Sequence, residues 1–258
     1  KSAHIGIAMG QRGTDVAREA APMVLVQEDF GLIVAAVRQG RRIFDNLRKV
    51  MLYIVAIHVP IAGLAVLPLL MGLPPLLLPA HVVLIEMVID PMCSVAFEGQ
   101  PAEPDLMRQP PRPLDEPLVG AGQLLLGLVL GLVLLLPCLW LYLRGLDAGL
   151  PVPEARSLAL LAITAGNLAL VASLSRRRGA WTRGMGRAYG LISLLTAGVI
   201  AACLGVPALR SLFDFALPSP DSALLALGLG AAAGLALELA KPLPRIQRLL
   251  GRQARPAA

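Results

Sequence analysis

Of 258 residues, 56% are hydrophobic and 16% charged, and the mean hydropathy is +0.71, which excludes an ordinary water-soluble domain of this length. The net charge of +6 and pI near 9.8 come from Lys and Arg at the edges of apolar segments, so they speak of topology and anionic lipid, not of nucleic acid. Cys93, Cys138 and Cys203 fall in three separate apolar segments with no CxxC or Cys/His spacing and read as buried small hydrophobes, with a soft-metal role for Cys93 left open.

The chain begins with an apolar run at 4–9 that ends at Gly10, followed by a turn at Gln11-Arg12-Gly13. Thr14 is placed to cap a helix running to Ala21, 23–26 reads as a second buried strand, and Asp29 can cap a helix from Phe30. This β-α-β-α pattern belongs in a parallel sheet covered on both faces, and two strands alone do not make one. The expectation is therefore that further strands lie upstream and that the chain is a fragment.

The helix from Phe30 meets no proline before Pro60 and carries Arg38, Arg41, Arg42, Arg48 and Lys49. It is expected to run from the soluble piece (1–29) through a stalk (30–49) into the first apolar span, either as a coupling rod or as a plain anchor. Six spans of about 20 apolar residues are drawn at 50–71, 79–98, 119–143, 157–175, 188–206 and 221–240, so that 50–258 is a polytopic, mostly α membrane domain. Seventeen basic residues flank one set of span ends: the five above, Arg108, Arg112, Arg176, Arg177, Arg178, Arg183, Arg187, Lys241, Arg245, Arg248, Arg252 and Arg255. Only Arg144, Arg156 and Arg210 flank the other. The bias predicts cytoplasmic ends in a cell (inner) membrane, with the basic tail 241–258 at the lipid surface.

Glu86 and Asp90 lie inside the second span, four residues apart and hence on one helix face. Each ionised group near the bilayer centre costs about 2.5–3.5 kcal/mol even on the lenient insertion scale, so a carboxylate retained there marks a functional site by default. Pro91 has no N–H for the carbonyl of Met87, and Pro60 likewise frees the carbonyl of Ala56, with His58 a half-turn away. Two successive helices are thus broken at similar depth, a sequence pointer to a transport site, and oxygens of this kind suit a hard cation. A proton relay or polar glue between helices would also use Glu86 and Asp90, and His58 reads equally as a ligand or a satisfied core histidine.

Several stretches resemble P-type cation-transporting ATPases, in the part that follows their GDGxNDxP motif. They are Lys1-Ser-Ala-His-Ile-Gly-Ile-Ala-Met-Gly10, Gly13-Thr-Asp-Val-Ala-Arg-Glu-Ala-Ala21, Met23-Val-Leu25, Asp29-Phe30 and Arg42-Ile-Phe-Asp-Asn-Leu-Arg-Lys49. Ile89-Asp90-Pro91 and Phe97-Glu98 are similar to a bacterial branch of the P2 subclass, which holds calcium and sodium pumps. The likeness is most specific over 1–50 and 81–104 and mainly topological beyond Gly120. It implies that the six spans are family helices five to ten, and that 1–29 is the end of a HAD-like phosphorylation domain. The family's fifth-helix Asn and Glu fall on His58 and Ile61, its sixth-helix Asn, Thr and Asp on Glu86, Ile89 and Asp90, and its eighth-helix acidic position near Thr164, beside Asn167. Only the Asp is retained.

The resemblance implies an ATP-driven cation pump whose membrane part holds the ion site between the first two spans. Glu86, Asp90 and His58 would be ligands with the carbonyls of Ala56 and Met87, Pro60 and Pro91 the helix breakers, and Thr164 and Asn167 an accessory path. Ca²⁺ is the first choice, ahead of Mn²⁺, Na⁺, K⁺ or H⁺. ATP, Mg²⁺ and the phosphorylated Asp would be held by the missing N-terminal part of the polypeptide, so these residues alone are not expected to hydrolyse ATP. The alternative is a non-enzymatic membrane module, a secondary carrier or a pump remnant kept for assembly.

Overall fold

A computed structural model describes residues 4–27, 29–89, 91, 95–97, 100–102, 105–111, 113, 117–175 and 183–250. Two compact units divide the chain, residues 1–44 with 101–109, and residues 45–100 with 110–258.

In the first unit β1 (Ile7–Met9) and β2 (Met23–Leu25) pair in parallel, Ile7 opposite Met23 and Met9 opposite Leu25. The helix between them, α1 (Asp15–Ala20), starts where expected, with the Thr14 hydroxyl accepting from the Ala17 N–H at 3.2 Å. The turn before it needs glycine, because a Cβ on Gly13 would lie 2.1 Å from the Met9 carbonyl oxygen. Arg18 fixes that turn by donating to the carbonyls of Gly10 and Gly13 at 2.5 and 3.0 Å. Asp29 accepts from the Gly31 N–H at 2.7 Å at the start of α2 (Gly31–Leu70), and Arg41 on that helix donates to the carbonyls of Leu106 and Gln109 at 2.9 and 2.8 Å.

The second unit is helical. The remainder of α2 contains Pro60 and Pro68 without ending at either. After the loop 71–78 come α3 (Pro79–Leu84) and a π-helical turn (Ile85–Ile89). The long helices α4 (Ala121–Asp147), α5 (Val152–Ser175), α6 (Arg183–Gly205) and α8 (Pro220–Ala240) follow, with short α7 (Pro207–Leu212) before α8 and α9 (Pro244–Leu249) after it. Among the described residues five helices are long and apolar enough to cross a membrane, at Gly31–Leu70, Ala121–Asp147, Val152–Ser175, Gly186–Gly205 and Pro220–Ala240. These match five of the expected spans. The span drawn at 79–98 is not one regular helix: it turns from α to π geometry at Ile85, six residues before a proline that cannot donate to the helical ladder. Asp90, Cys93 and Glu98 lie outside the described residues.

Apolar side chains gain little by leaving lipid for a helix interface, so close backbone approach has to hold such a bundle together. Glycines allow it twice, four residues apart each time. A Cβ on Gly127 or Gly131 of α4 would come within 2.7 and 2.5 Å of Val55 and Val59 on α2. On α8, Gly230 and Gly234 meet α5 at Ala162 and Ala169, the former so closely that a Cβ would sit 2.0 Å from the Ala162 carbonyl oxygen. With α8 and α4 both against it, α5 is the most enclosed of the long helices.

Polar side chains tie the two ends of this unit. At one end Arg156 is buried at the start of α5, donates to the Pro75 carbonyl through Nη2 at 2.9 Å and pairs with Asp214. Tyr142 donates to the Pro74 carbonyl at 2.6 Å and Ser157 to that of Ala216 at 2.6 Å. His81 accepts from the Leu78 N–H at Nδ1 (3.1 Å), donates from Nε2 to the Phe213 carbonyl (2.5 Å) and stacks on Phe215 at 4.7 Å. At the other end the fully buried Gln100 donates to Ser175 Oγ at 2.9 Å and accepts from Lys49 Nζ at 2.9 Å, while its carbonyl accepts from Asn46 at 3.1 Å.

Four outcomes follow for stability, all read from reversible unfolding of the purified protein in detergent. Gly230→Ala is expected to cost about 1–3 kcal/mol, since backbone must move to admit the methyl. Gly190→Ala, with nothing within 4 Å of its Cβ position, should be neutral or stabilise by up to about 1 kcal/mol. Arg156→Met strands the Pro75 carbonyl and should cost about 1–3 kcal/mol. Asp214→Asn should cost less than about 1 kcal/mol, because the Asp214 carboxylate is 56% exposed.

Candidate functional site

The apolar character of α2 keeps it helical through Pro60, whose missing N–H deprives the Ala56 carbonyl of its ordinary partner. Half a turn before that proline His58 projects from the helix, its side chain 52% exposed. The ring is fixed by its own helix, Nδ1 lying 2.8 Å from the Ile54 carbonyl oxygen. A carbonyl cannot donate, so the proton of this bond belongs to Nδ1. The other ring nitrogen, Nε2, stands 3.4 Å from Oε1 of Glu86.

Glu86 sits in the first turn of the π segment Ile85–Ile89, its side chain one-third exposed. A π turn widens the helix and displaces backbone groups from the regular ladder, and such turns gather at functional sites. Ile85, directly before Glu86, is completely buried and anchors the turn in the core. The structure thus brings together one carboxylate on a π turn and one imidazole on a continuous helix that carries a proline two residues further on.

The other residues expected at the site are placed differently. Ala56 is fully buried and its carbonyl oxygen faces α4, where a Cβ on Gly131 would come within 2.7 Å of it. That oxygen is covered by α4 and is not turned to Glu86, because the glycine stripe brings bare backbone against it. The Met87 side chain points outward, 72% exposed. Thr164 and Asn167 are both buried on α5, and the Thr164 hydroxyl has no hydrogen-bond partner among the described residues. Asp90 is outside the described residues, and among those described no three His, Cys, Asp or Glu side chains gather as a metal site.

Sequence reasoning passed over His81, Gln100 and the glycine contacts. His81 occupies the third position of a helix that opens on Pro79, where a side chain can reach back to the capping N–H, and that spacing is readable. The Gly127-x-x-x-Gly131 and Gly230-x-x-x-Gly234 spacings were readable too. Gln100 gave no signal, because its three partners lie 51 to 75 residues away.

Residues 74–243 match the family model described as cation transporting ATPase, C-terminus. The probable cation-transporting ATPase F of Mycobacterium tuberculosis (strain ATCC 25618 / H37Rv) is 34% identical over 220 residues, 84% of this chain and 24% of that protein. Calcium-transporting ATPase 1 of Yarrowia lipolytica is 38% identical over 116 residues, 45% of this chain and 12% of that protein. Calcium-transporting ATPase type 2C member 2 of Mus musculus is 31% identical over 160 residues, 62% of this chain and 17% of that protein. The chain therefore spans about a quarter or less of the length of these relatives. With apolar helices that pack through glycine and a carboxylate at a broken one, it is a multi-pass membrane protein and belongs to the C-terminal family of the P-type cation-transporting ATPases.

Proposed function

We propose that this chain is the membrane part of an ATP-driven cation pump and that the transported ion is bound at Glu86 and Asp90, beside His58. The observation that carries the reading is the Glu86 carboxylate at a π turn, 3.4 Å from an imidazole on a proline-interrupted helix. An ionisable group on an apolar segment costs several kcal/mol unless it is used or paired, and here it faces the neighbouring helix. The carbonyl of Met87, left without its usual donor by Pro91, would complete the donor set. Ala56 is left out of it, since α4 covers its oxygen.

In this reading residues 1–29 belong to a phosphorylation domain, and α2 (Gly31–Leu70) transmits the state of that domain to His58. ATP and Mg²⁺ are bound by other parts of the complete polypeptide. The seventeen-to-three distribution of basic residues puts both ends of the chain on the cytoplasmic side of the cell membrane. The ion is a divalent one, Ca²⁺ in the first instance, as the names of several relatives suggest.

Phosphorylation by radiolabelled ATP, measured on the complete polypeptide in membranes, tests the proposal. Wild type should form a phosphoenzyme that depends on the transported cation, and Glu86→Ala and Asp90→Ala should each abolish that dependence. Wild-type cation stimulation in both variants would remove the ion site from this helix.

A further inference from the structure

Resting on the reading of Glu86 as part of a cation site, we infer that His81 is a positioning residue for that site, which pins the start of the Glu86 segment as a neutral ring and releases it when Nδ1 takes a proton.

Both hydrogen-bond partners of the ring are backbone groups with a single role. The Leu78 N–H can only donate, so Nδ1, 3.1 Å away, presents a lone pair. The Phe213 carbonyl can only accept, so Nε2, 2.5 Å away, carries the proton. Only the neutral Nε2–H tautomer satisfies both bonds. A second proton would set an N–H at Nδ1 against the N–H of Leu78, and the pin would have to open.

No other side chain of α3 (Pro79–Leu84) can take over. Its remaining members are Pro79, Ala80, Val82, Val83 and Leu84, none of which forms a hydrogen bond through its side chain. The Tyr142 and Arg156 bonds end at Pro74 and Pro75, in the loop before it. His81 therefore ties α3 to the connection after α7, where it also stacks on Phe215. α3 runs directly into the π turn that holds Glu86, so a shift at its start is passed to the carboxylate.

The charges around the ring do not lift this constraint. α5 contributes Arg156, which opposes a cationic ring, the connection after α7 contributes Asp214, which favours one, and the two are paired with each other. α4 brings Tyr142, whose hydroxyl is donated to Pro74. Residues 59–80 hold no titratable side chain. Water lies at this end of the bundle, since the Asp214 carboxylate is 56% exposed. Once the pin is open the ring titrates in the ordinary histidine range, about pH 6.5. The pinned form takes no proton and the open form takes one, so acid favours opening.

Hydrogen exchange on the complete polypeptide in detergent, followed from pH 8 to 5, tests the pin. His81→Gln is the control, because its amide can accept from Leu78 and donate to Phe213 without titrating. The ratio of wild-type to His81→Gln exchange over 78–84 should be flat above about pH 7 and rise by up to about tenfold per unit below about pH 6.5. Where the variant does not fold, exchange over 78–84 relative to α4 in the wild type gives the same reading, because intrinsic rates share one pH dependence. Positioning is read from the cation concentration that half-saturates phosphoenzyme formation. His81→Leu and His81→Asn, unable to bridge Leu78 and Phe213, should raise it severalfold, and His81→Gln should restore it. A pH-independent exchange ratio overturns the inference, and so does a half-saturation that the Leu and Asn variants leave unchanged. If Glu86→Ala keeps wild-type cation stimulation, the reading of Glu86 falls and the link to the ion with it, while the exchange ratio still decides whether a proton on His81 opens the pin.

Discussion

A helix surrounded by hydrocarbon has to satisfy its backbone polar groups within itself, and the rest of this structure depends on that constraint. Most of the long helices meet it by regularity. Pro60 and Pro68 each remove a donor from α2 and Pro137 one from α4, and the segment after α3 passes into a π turn. An irregular backbone costs free energy in lipid, so it persists where neighbours or a polar cargo compensate. The Ala56 oxygen lies packed against Gly131 of α4, and the Glu86 carboxylate lies 3.4 Å from the imidazole of His58.

The glycine contacts on α4 and α8 serve a different end. They bring α2 against α4 and α5 against α8 at backbone distance, which only residues without a Cβ permit. α4 thereby meets α2 at Val55, Ala56 and Val59, the last directly after His58. The buried α5 is tied by Arg156 to Pro75 at one end and by Ser175 to Gln100 at the other, and it is the most enclosed of the long helices. The Glu86 carboxylate sits on a π turn beside the His58 imidazole, which its own helix fixes through the Ile54 carbonyl.

Much of this was legible in the sequence. Helix caps at Thr14 and Asp29, two short strands and five of the six spans follow from periodicities and side-chain preferences that act within a few residues, and they are where the sequence placed them. Of the two expected breaks, the one in the second segment corresponds to the π turn before Pro91, whereas α2 runs on as one helix through Pro60. What only the tertiary structure decided is which groups meet across helices: that Ala56 turns to Gly131 while His58 turns to Glu86, that His81 is locked by Phe213, and that Gln100 joins Asn46, Lys49 and Ser175. Those pairings depend on the rotation of each helix about its axis. Close glycine contacts far along the chain set that rotation, and a local window of sequence does not contain them.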